Sequence, residues 1–440
     1  PSSRYRLPPV CGGLTQFEVY ETRSRYYVVG RDEEGSEHRV LKIERMEARE
    51  LVLAEDETGY GGEEVEELLA MVADGNKASG GLTHVVSGVG ILGFVRFLEG
   101  YYMVVVTERE VVGYIGPHRI YKIAATQLVY LPHPSVRIHS LDEGRYTSIF
   151  SKIELVHDFF FSYTYDLSHS LQYNMKHPYS RTALLNAGVV QPRTTSSDGY
   201  AASEPSFPHP FASMPDERTW IWNLYLLKDV WPALTRKDWV LPVVHGFFRQ
   251  RIVTVFDAPL VLTLIARRSR FFAGTRYLKR GVSDRGKVAN EVETEQIVAN
   301  MASAHFDSGS FASYVTLRGS IPLHWSQEQS IVTPKPPIVL HAPDPAYSAT
   351  ALHFEDLYRR YGSPLLVLNL VKQREKVPRE QIIGIEFAHA VAKLNKAIPP
   401  EHRIRFHAFD MHRSAKTKDS DVIAELTARA KAIVATTGFS

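Results

Sequence analysis

Among its 440 residues the chain has one cysteine, Cys11. A single thiol excludes an internal disulfide and any metal site built on several thiolates. Phe17, not an arginine, stands six positions after it, so Cys11 cannot form the Cys-x5-Arg cradle of a thiolate phosphatase. None of the eight Asn residues opens an Asn-x-Ser/Thr acceptor, which fits a cytosolic chain. Long apolar runs are scarce: "LVLTLIA", ending at Ala266, falls far short of the ~20 residues of a membrane-crossing helix. Neither a P-loop, a Rossmann fingerprint nor a Gly-x-Ser-x-Gly elbow is read. His402, His407 and His412 recur every five residues, which sets them on no common helix or strand face and argues against a zinc site. Net charge is also small, 51 basic against 49 acidic residues, too even for a general nucleic-acid coat. Any anion site must be local.

One stretch answers that description. "RRSRFFAGTRYLKRG" (267–281) sets six Arg and Lys among Phe271, Phe272 and Tyr277. An arginine fork donates two hydrogen bonds to one phosphate, whereas lysine acts as a point charge. The acidic segment "ANEVETEQ" (289–296) follows closely. As a strand it would carry Glu291, Glu293 and Glu295 on one face and Asn290 on the other. Paired carboxylates can serve acid–base chemistry, but their simpler role is to hold the arginines. Arg267 and Arg268 adjoin the apolar run and suit packing. His245, after "LPVV", reads as a core histidine.

The fold reads as α+β. "QFEVYETRSRYYVVGRD", "GYYMVVVTEREVVGYI" and "RIYKIAATQLVYL" alternate like strands, and "GGEEVEELLAMVADGN" between them reads as a helix ended by Gly75. Six prolines and many serines mark a linker at about 177–215. The expected division is therefore a strand-rich domain over 1–215, linker included, and an α/β domain over 216–440. In the latter, "SPLLVLNLV", "PREQIIGIEFAHAVAKLN", "HRIRFHAFD" and "DSDVIAELTARAKAIVATTG" alternate strand and helix, implying a partly parallel sheet. Pro378 opens the first of these helices, with Ile382, Ile385, Val391 and Leu394 as its apolar face. Lacking an initiator Met and stopping at "TTGFS", the chain reads as an excerpt with its second domain incomplete.

Four stretches, "FFFSYTYDLSHSLQYN" (159–174), "ARRSRFFAGTRYLKRGVSDRGKVANEVETEQIV" (266–298), "SYVTLRGSIPLHWSQE" (313–328) and "HFEDLYRRYGSPLLVLNLVKQREK" (353–376), together resemble the Sac-domain phosphoinositide phosphatases. The resemblance implies an N-terminal Sac-specific domain and the first part of a catalytic phosphatase domain. It is nearest to the endosomal and vacuolar branch, which removes the 5-phosphate of phosphatidylinositol 3,5-bisphosphate through a cysteinyl-phosphate. That nucleophile belongs to a Cys-x5-Arg loop expected C-terminal to Ser440, so 1–440 alone should be inert. Arg276, Lys279, Arg280 and, more weakly, Arg318 are then candidates for binding substrate phosphates, supported by Asn290, Glu291 and Glu293. No metal or other cofactor is implied. Implied partners are the phosphoinositide, the cytosolic surface of endosomal, lysosomal or vacuolar membranes, and a phosphoinositide kinase with its scaffold protein, but not nucleic acid. The alternative is a non-catalytic scaffold that stabilises such a kinase complex.

Overall fold

A computed structural model describes residues 13–176, 219–274, 278–300, 311–327, 336–341, 344–414 and 421–438. The linker expected at 177–215 and the boundary after it lie outside the described residues. Those described fall into two compact units, one drawn from 1–267 and 296–311, the other from 268–295 and 312–440.

The first unit is mostly antiparallel sheet. Strands β1 (Gln16–Glu21), β2 (Arg25–Arg31), β3 (His38–Glu44), β4 (Leu53–Glu55) and β5 (Thr83–Gly88) pair in the order β4-β3-β2-β1-β5. On β1, Phe17 and Val19 alternate inward between more exposed neighbours, as a strand with one buried face requires. Helix α1 (Gly62–Gly75) ends at the glycine the sequence marks, and its buried Val65 joins Tyr27, Val29 and Val40. A second sheet runs β11-β10-β9-β8-β7-β6 in this unit. Its strands are β6 (Gly90–Arg96), β7 (Tyr101–Ile115), β8 (His118–Tyr130), β9 (Phe159–Phe161), β10 (Val244–Val255) and β11 (Ala258–Arg268); β12 (Val292–Asn300) and β13 (Phe311–Arg318) follow in the chain, each divided between the two units. Short helices α2 (Glu143–Ser151), α3 (Leu171–Lys176) and α4 (Leu224–Leu227) lie along the intervening chain. Trp239 is fully buried, and a Cβ on Gly30 would come within 3.1 Å of its ring and 2.7 Å of Leu14. That contact explains a glycine in the middle of a strand. Half-buried His245 stacks on Phe159 at 4.7 Å.

Gly88, Gly90 and Gly93 carry the bare G-x-G-x-x-G spacing, which the sequence reading passed over. They sit on β5 and β6, with strand and no helix after them, so they form no dinucleotide-binding turn.

The second unit supplies the α/β element. Strands β14 (Trp325–Gln327) and β15 (Ile338–Leu340) form an antiparallel pair, followed by α5 (Ser348–Tyr361). Strands β16 (Leu366–Asn369) and β17 (Arg405–Ala408) run parallel, with α6 (Glu380–Leu394) between them in the chain. After α7 (Met411–Ser414), α8 (Val422–Thr437) is capped by Asp421, whose carboxylate accepts from the Ile423 and Ala424 amides at 3.0 Å. The mixed architecture, strand-rich first and α/β after, is the one expected. The apolar face of α6 needs correcting. Ile383, Phe387, Ala390 and Val391 are buried, whereas Ile382 and Ile385 are exposed.

Arg267 is 0% exposed. Its guanidinium donates to the main-chain carbonyls of Leu167 and His169, the latter at 2.8 Å. A buried cation bonded to backbone carbonyls is an anchor, because its loss strands both acceptors away from water. Arg267→Met should therefore lower stability by about 2–4 kcal/mol, read from urea unfolding. Arg267→Lys should restore only part, since an ammonium has no planar fork. A change below about 0.5 kcal/mol would show that the carbonyls find other donors.

Candidate functional site

The basic stretch forms a loop between β11 and β12, and its base is closed by three hydrogen bonds. The Ser269 amide donates to the Glu291 carbonyl at 2.9 Å. Asn290, at φ 53° in the left-handed region that Asn tolerates, accepts through Oδ1 from the Arg268 guanidinium at 2.9 Å and the Gly274 amide at 3.2 Å. The loop then folds on itself and on the stretch after β13. Ala289 donates to the Gly281 carbonyl at 2.8 Å and Val282 to that of Leu323 at 3.0 Å. The Gly281 amide donates to Ser320 Oγ at 2.9 Å, while Ser320 N bonds the Ala289 carbonyl at 3.0 Å. Gly281 has φ +71°, and a Cβ there would lie 2.4 Å from the Leu323 oxygen. Only glycine fits that position.

On this frame the candidate cations take different places. Arg276 lies outside the described residues. Lys279 is exposed, with its ammonium 5.0 Å from the centre of the Phe272 ring. Arg280 is half-buried, its guanidinium 5.4 Å from the Trp325 ring centre. Arg270 lies 3.9 Å over Phe271, which Lys287 also approaches at 5.2 Å. Phe271 and Phe272 thus pack on Arg270 and Lys279 of the same stretch, each contact worth about 0.5–1 kcal/mol at an exposed site. Arg318 is exposed at the end of β13, two residues before Ser320, and so is tied to the frame that carries Lys279 and Arg280.

Beneath the loop runs a row of buried charge. Glu291, Glu293 and Glu295 are 1%, 3% and 0% exposed and share one face of the chain entering β12. Glu291 accepts from the Arg360 guanidinium at 2.8 Å, and Glu293 from the Tyr361 hydroxyl. Both partners come from the end of α5. Asp356, one turn earlier, meets Arg360 at 3.0 Å, Arg359 at 2.7 Å and Lys287 at 3.1 Å. Burial alone would raise the Asp356 pKa, but these three cations outweigh it and hold the carboxyl below its usual range. Burial would likewise lower Arg360, yet Tyr361, Glu291 and Asp356 raise it. Burial and the Glu293 charge push Tyr361 upward, so it stays protonated as a donor. His353 packs against Gly286, accepting no charge: burial and then Arg360 push its pKa down to about 4, and Nδ1 lies 3.2 Å from the Gly286 carbonyl.

The supporting residues Asn290, Glu291 and Glu293 are thus brought together at the base of the loop, and Glu291 holds an arginine from "YRRYG" rather than from the basic stretch. Arg360, Tyr361, Asp356, Lys287 and His353 are the residues the sequence reading left without roles. A partial signal existed: Asp356, Arg359 and Arg360 have the i, i+3, i+4 spacing of neighbours on a helix face. The partnership with Glu291 spans 69 residues and has no local signature. Among the described residues no group of three or more His, Cys, Asp or Glu is placed to hold a metal ion.

The family model of the SacI homology domain matches residues 89–416, from the start of β6 past β17. The chain belongs to the SacI homology family. The matched range includes the loop, its buried support and the whole of α5. The chain is 42% identical over its full length to phosphatidylinositol-3-phosphatase SAC1 of Arabidopsis thaliana, covering 45% of that protein. Over 97% of its length it is 38% identical to a polyphosphoinositide phosphatase of Schizosaccharomyces pombe, covering 48% of it. Phosphatidylinositol-3-phosphatase SAC1-B of Danio rerio is 28% identical over 74% of the chain and 48% of its own length. The chain therefore spans about half the length of the curated relatives it matches.

The buried histidine gives this Sac unit a pH dependence. Its folded pKa near 4 lies below the unfolded 6.5, so unfolding takes up a proton between those values. Stability should be full above pH 6.5 and fall as the medium is acidified towards pH 4, by about 1.4 kcal/mol per unit. Urea midpoints across that window should show the slope, and His353→Gln should flatten it. An unchanged slope in the variant would assign the acid sensitivity elsewhere. Separately, Arg360→Met leaves Glu291 and Asp356 buried beside a lost cation and should cost about 3–5 kcal/mol. Calorimetry showing no fall in melting temperature would remove the pair from the support.

Proposed function

We propose that the chain is the substrate-recognising part of a phosphoinositide phosphatase that removes the 5-phosphate of phosphatidylinositol 3,5-bisphosphate. The observation that carries the reading is a basic loop, rigidly based and bearing surface cations, in a chain 42% identical throughout to a protein named as a phosphoinositide phosphatase. We further propose that 1–215 is the N-terminal Sac-specific domain and 216–440 the first part of the catalytic domain. The protein works at the cytosolic face of endosomal, lysosomal or vacuolar membranes, in company with a phosphoinositide kinase and its scaffold.

In this reading a cysteine thiolate attacks phosphorus, the sulfur–phosphorus bond forms, and the inositol oxygen leaves with a proton. Water then cleaves the cysteinyl-phosphate and frees inorganic phosphate. These 440 residues contain no Cys-x5-Arg loop to supply that thiolate. The role of the present residues is to hold anionic oxygens. Lys279 and Arg318 are exposed for that task, Arg280 stands half-buried beside Lys279, and Arg276 lies on the same loop. Asn290, Glu291 and Glu293 keep the loop's base in place, so the cations lose little freedom on binding.

Two measurements test the proposal. Residues 1–440 alone should release no phosphate from any phosphoinositide, and turnover without an added nucleophile would sink it. In the full-length enzyme, Arg276→Ala or Arg280→Ala should lower kcat/KM about 10- to 150-fold, the value of one charge-assisted hydrogen bond. Arg280→Lys should recover part of the loss. The assay should offer both the bisphosphate and phosphatidylinositol 3-phosphate, because the Arabidopsis relative is named for the 3-position. Equal turnover in wild type and both alanine variants, or a loss that only tracks melting temperature, would remove the rim assignment.

A further inference from the structure

The hairpin of β10 and β11 outruns the sheet that carries it. Its stem is fastened by buried Phe248, Thr263 and Ile265, and by Gln250, whose amide brackets Tyr114. Gln250 Oε1 accepts from the Tyr114 amide at 3.1 Å, and Nε2 donates to the Tyr114 carbonyl at 2.6 Å and to Thr263 Oγ1 at 2.8 Å. Beyond that clasp, every residue from Arg251 to Pro259 is exposed. The two strands stay paired to the end, Ile252 opposite Val261, Val253 opposite Leu260 and Val255 opposite Ala258. The turn, Phe256-Asp257, has positive φ at both positions, 49° and 62°, where Asn and Gly are the preferred residues. At its apex Phe256 is 99% exposed.

The chemistry of this projection is unusual for a surface hairpin. A solvated ribbon shows polar side chains on at least one face. Here Ile252 and Val261 lie on one face with Thr254 as its one polar side chain past Gln250, and Val253, Leu260 and Val255 lie on the other, with an aromatic between them at the tip. Arg249 and Arg251 stand nearer the stem on the face of Val253 and Val255. From Arg251 to the apex is about 15 Å along the strand. A side chain at the apex sunk roughly 5–10 Å into the headgroup and acyl boundary would bring the Arg251 guanidinium to the lipid phosphates, with Arg249 about 7 Å farther out and reaching back toward them along its long stem.

We propose that this hairpin is a membrane-docking finger, with the apolar tip entering an anionic bilayer surface and Arg249 and Arg251 meeting its phosphates. A protein partner would need one complementary face. A bilayer accepts both faces and the apex together, and the base carries the charge sign that anionic lipid requires. The outward peptide groups of a two-stranded ribbon remain unpaired, which limits entry to the interfacial zone, where water and headgroups satisfy them. Asp257 at the turn sets the same limit. Among the described residues no helix is long and apolar enough to cross a membrane, so attachment through the finger would be peripheral. The inference deepens the membrane-surface reading above and rests on it.

Its test separates the two. Purified full chain is floated with vesicles of phosphatidylcholine doped with phosphatidylserine and free of phosphoinositide, so phosphate recognition plays no part. Binding is expected, and Phe256→Asp should weaken it about 10- to 150-fold, the value of one buried aromatic side chain. Arg249→Ala with Arg251→Ala should weaken it about 30-fold on these vesicles and hardly at all on pure phosphatidylcholine. Phe256→Trp should add an indole emission that brominated lipid quenches. All sites are exposed, and unchanged melting temperatures should verify the fold. Undiminished flotation of Phe256→Asp, or an added emission in Phe256→Trp that brominated lipid leaves unquenched, would overturn the finger. So would a change in oligomeric state with vesicle binding intact, which would make the tip a contact between copies. None of these outcomes bears on catalysis, which the kinetic assays address.

Discussion

A carboxylate buried beside a guanidinium governs the second unit. Glu291 leaves the basic loop with almost no exposure, and its charge is tolerable there only because Arg360 lies 2.8 Å away. Arg360 in turn answers Asp356, and Asp356 answers Lys287 back on the loop's own hairpin. The circuit closes on itself: loop, strand entry, helix, loop. Removing one member of such a buried set costs about 3–5 kcal/mol, against 0–1 kcal/mol for an exposed pair. The end of α5 therefore cannot drift from the 287–293 segment without stranding a charge. Whatever Lys279 and Arg280 bind, they bind from a base that is already fixed.

Three of the stretches that carry the family resemblance meet at this segment within the second unit. Gly281 and Ala289 tie its middle to Ser320, in the stretch after β13. Glu291 and Glu293 tie its end to Arg360 and Tyr361. What these sequences share is a frame of backbone and buried-charge contacts, in which a change on one side must be matched on another. Such a frame leaves a long signature in the sequence, because each of its contacts needs a particular residue on both sides.

Regular elements were legible wherever one periodicity decided the matter. β1 alternates as its sequence does, and α1 and α8 end on the glycines that mark them. Helix α6 was legible as a helix but not in its orientation. "QIIGIEFAHAVAKL" holds two overlapping apolar stripes, and local spacing cannot choose between Ile382–Ile385 and Ile383–Phe387. Packing against the parallel strand pair chose the second. The carboxylate row at 291–295 was legible as one strand face, but its partners were not. Glu291 and Arg360 are held together by tertiary structure alone, and a pair 69 residues apart leaves no pattern in either segment. The hairpin shows the same limit from the other side: "LVLTLIA" looks like core, yet only Thr263 and Ile265 within it are buried.

Density of charge in a sequence is consequently a poor measure of a binding site. Of the six cations in 267–281, Arg267 is an internal anchor, Arg268 clasps Asn290 and the Gly274 carbonyl, and Arg270 covers Phe271. The first half of the cluster builds the loop; beyond it Lys279 is exposed and Arg280 is half-buried against Trp325. One run of arginines therefore mixes two kinds of residue whose loss should be read on different instruments, stability for one and affinity for the other. The acids that follow the cluster are buried: Glu291 and Glu293 are held by Arg360 and Tyr361, where they fix the backbone that carries the loop.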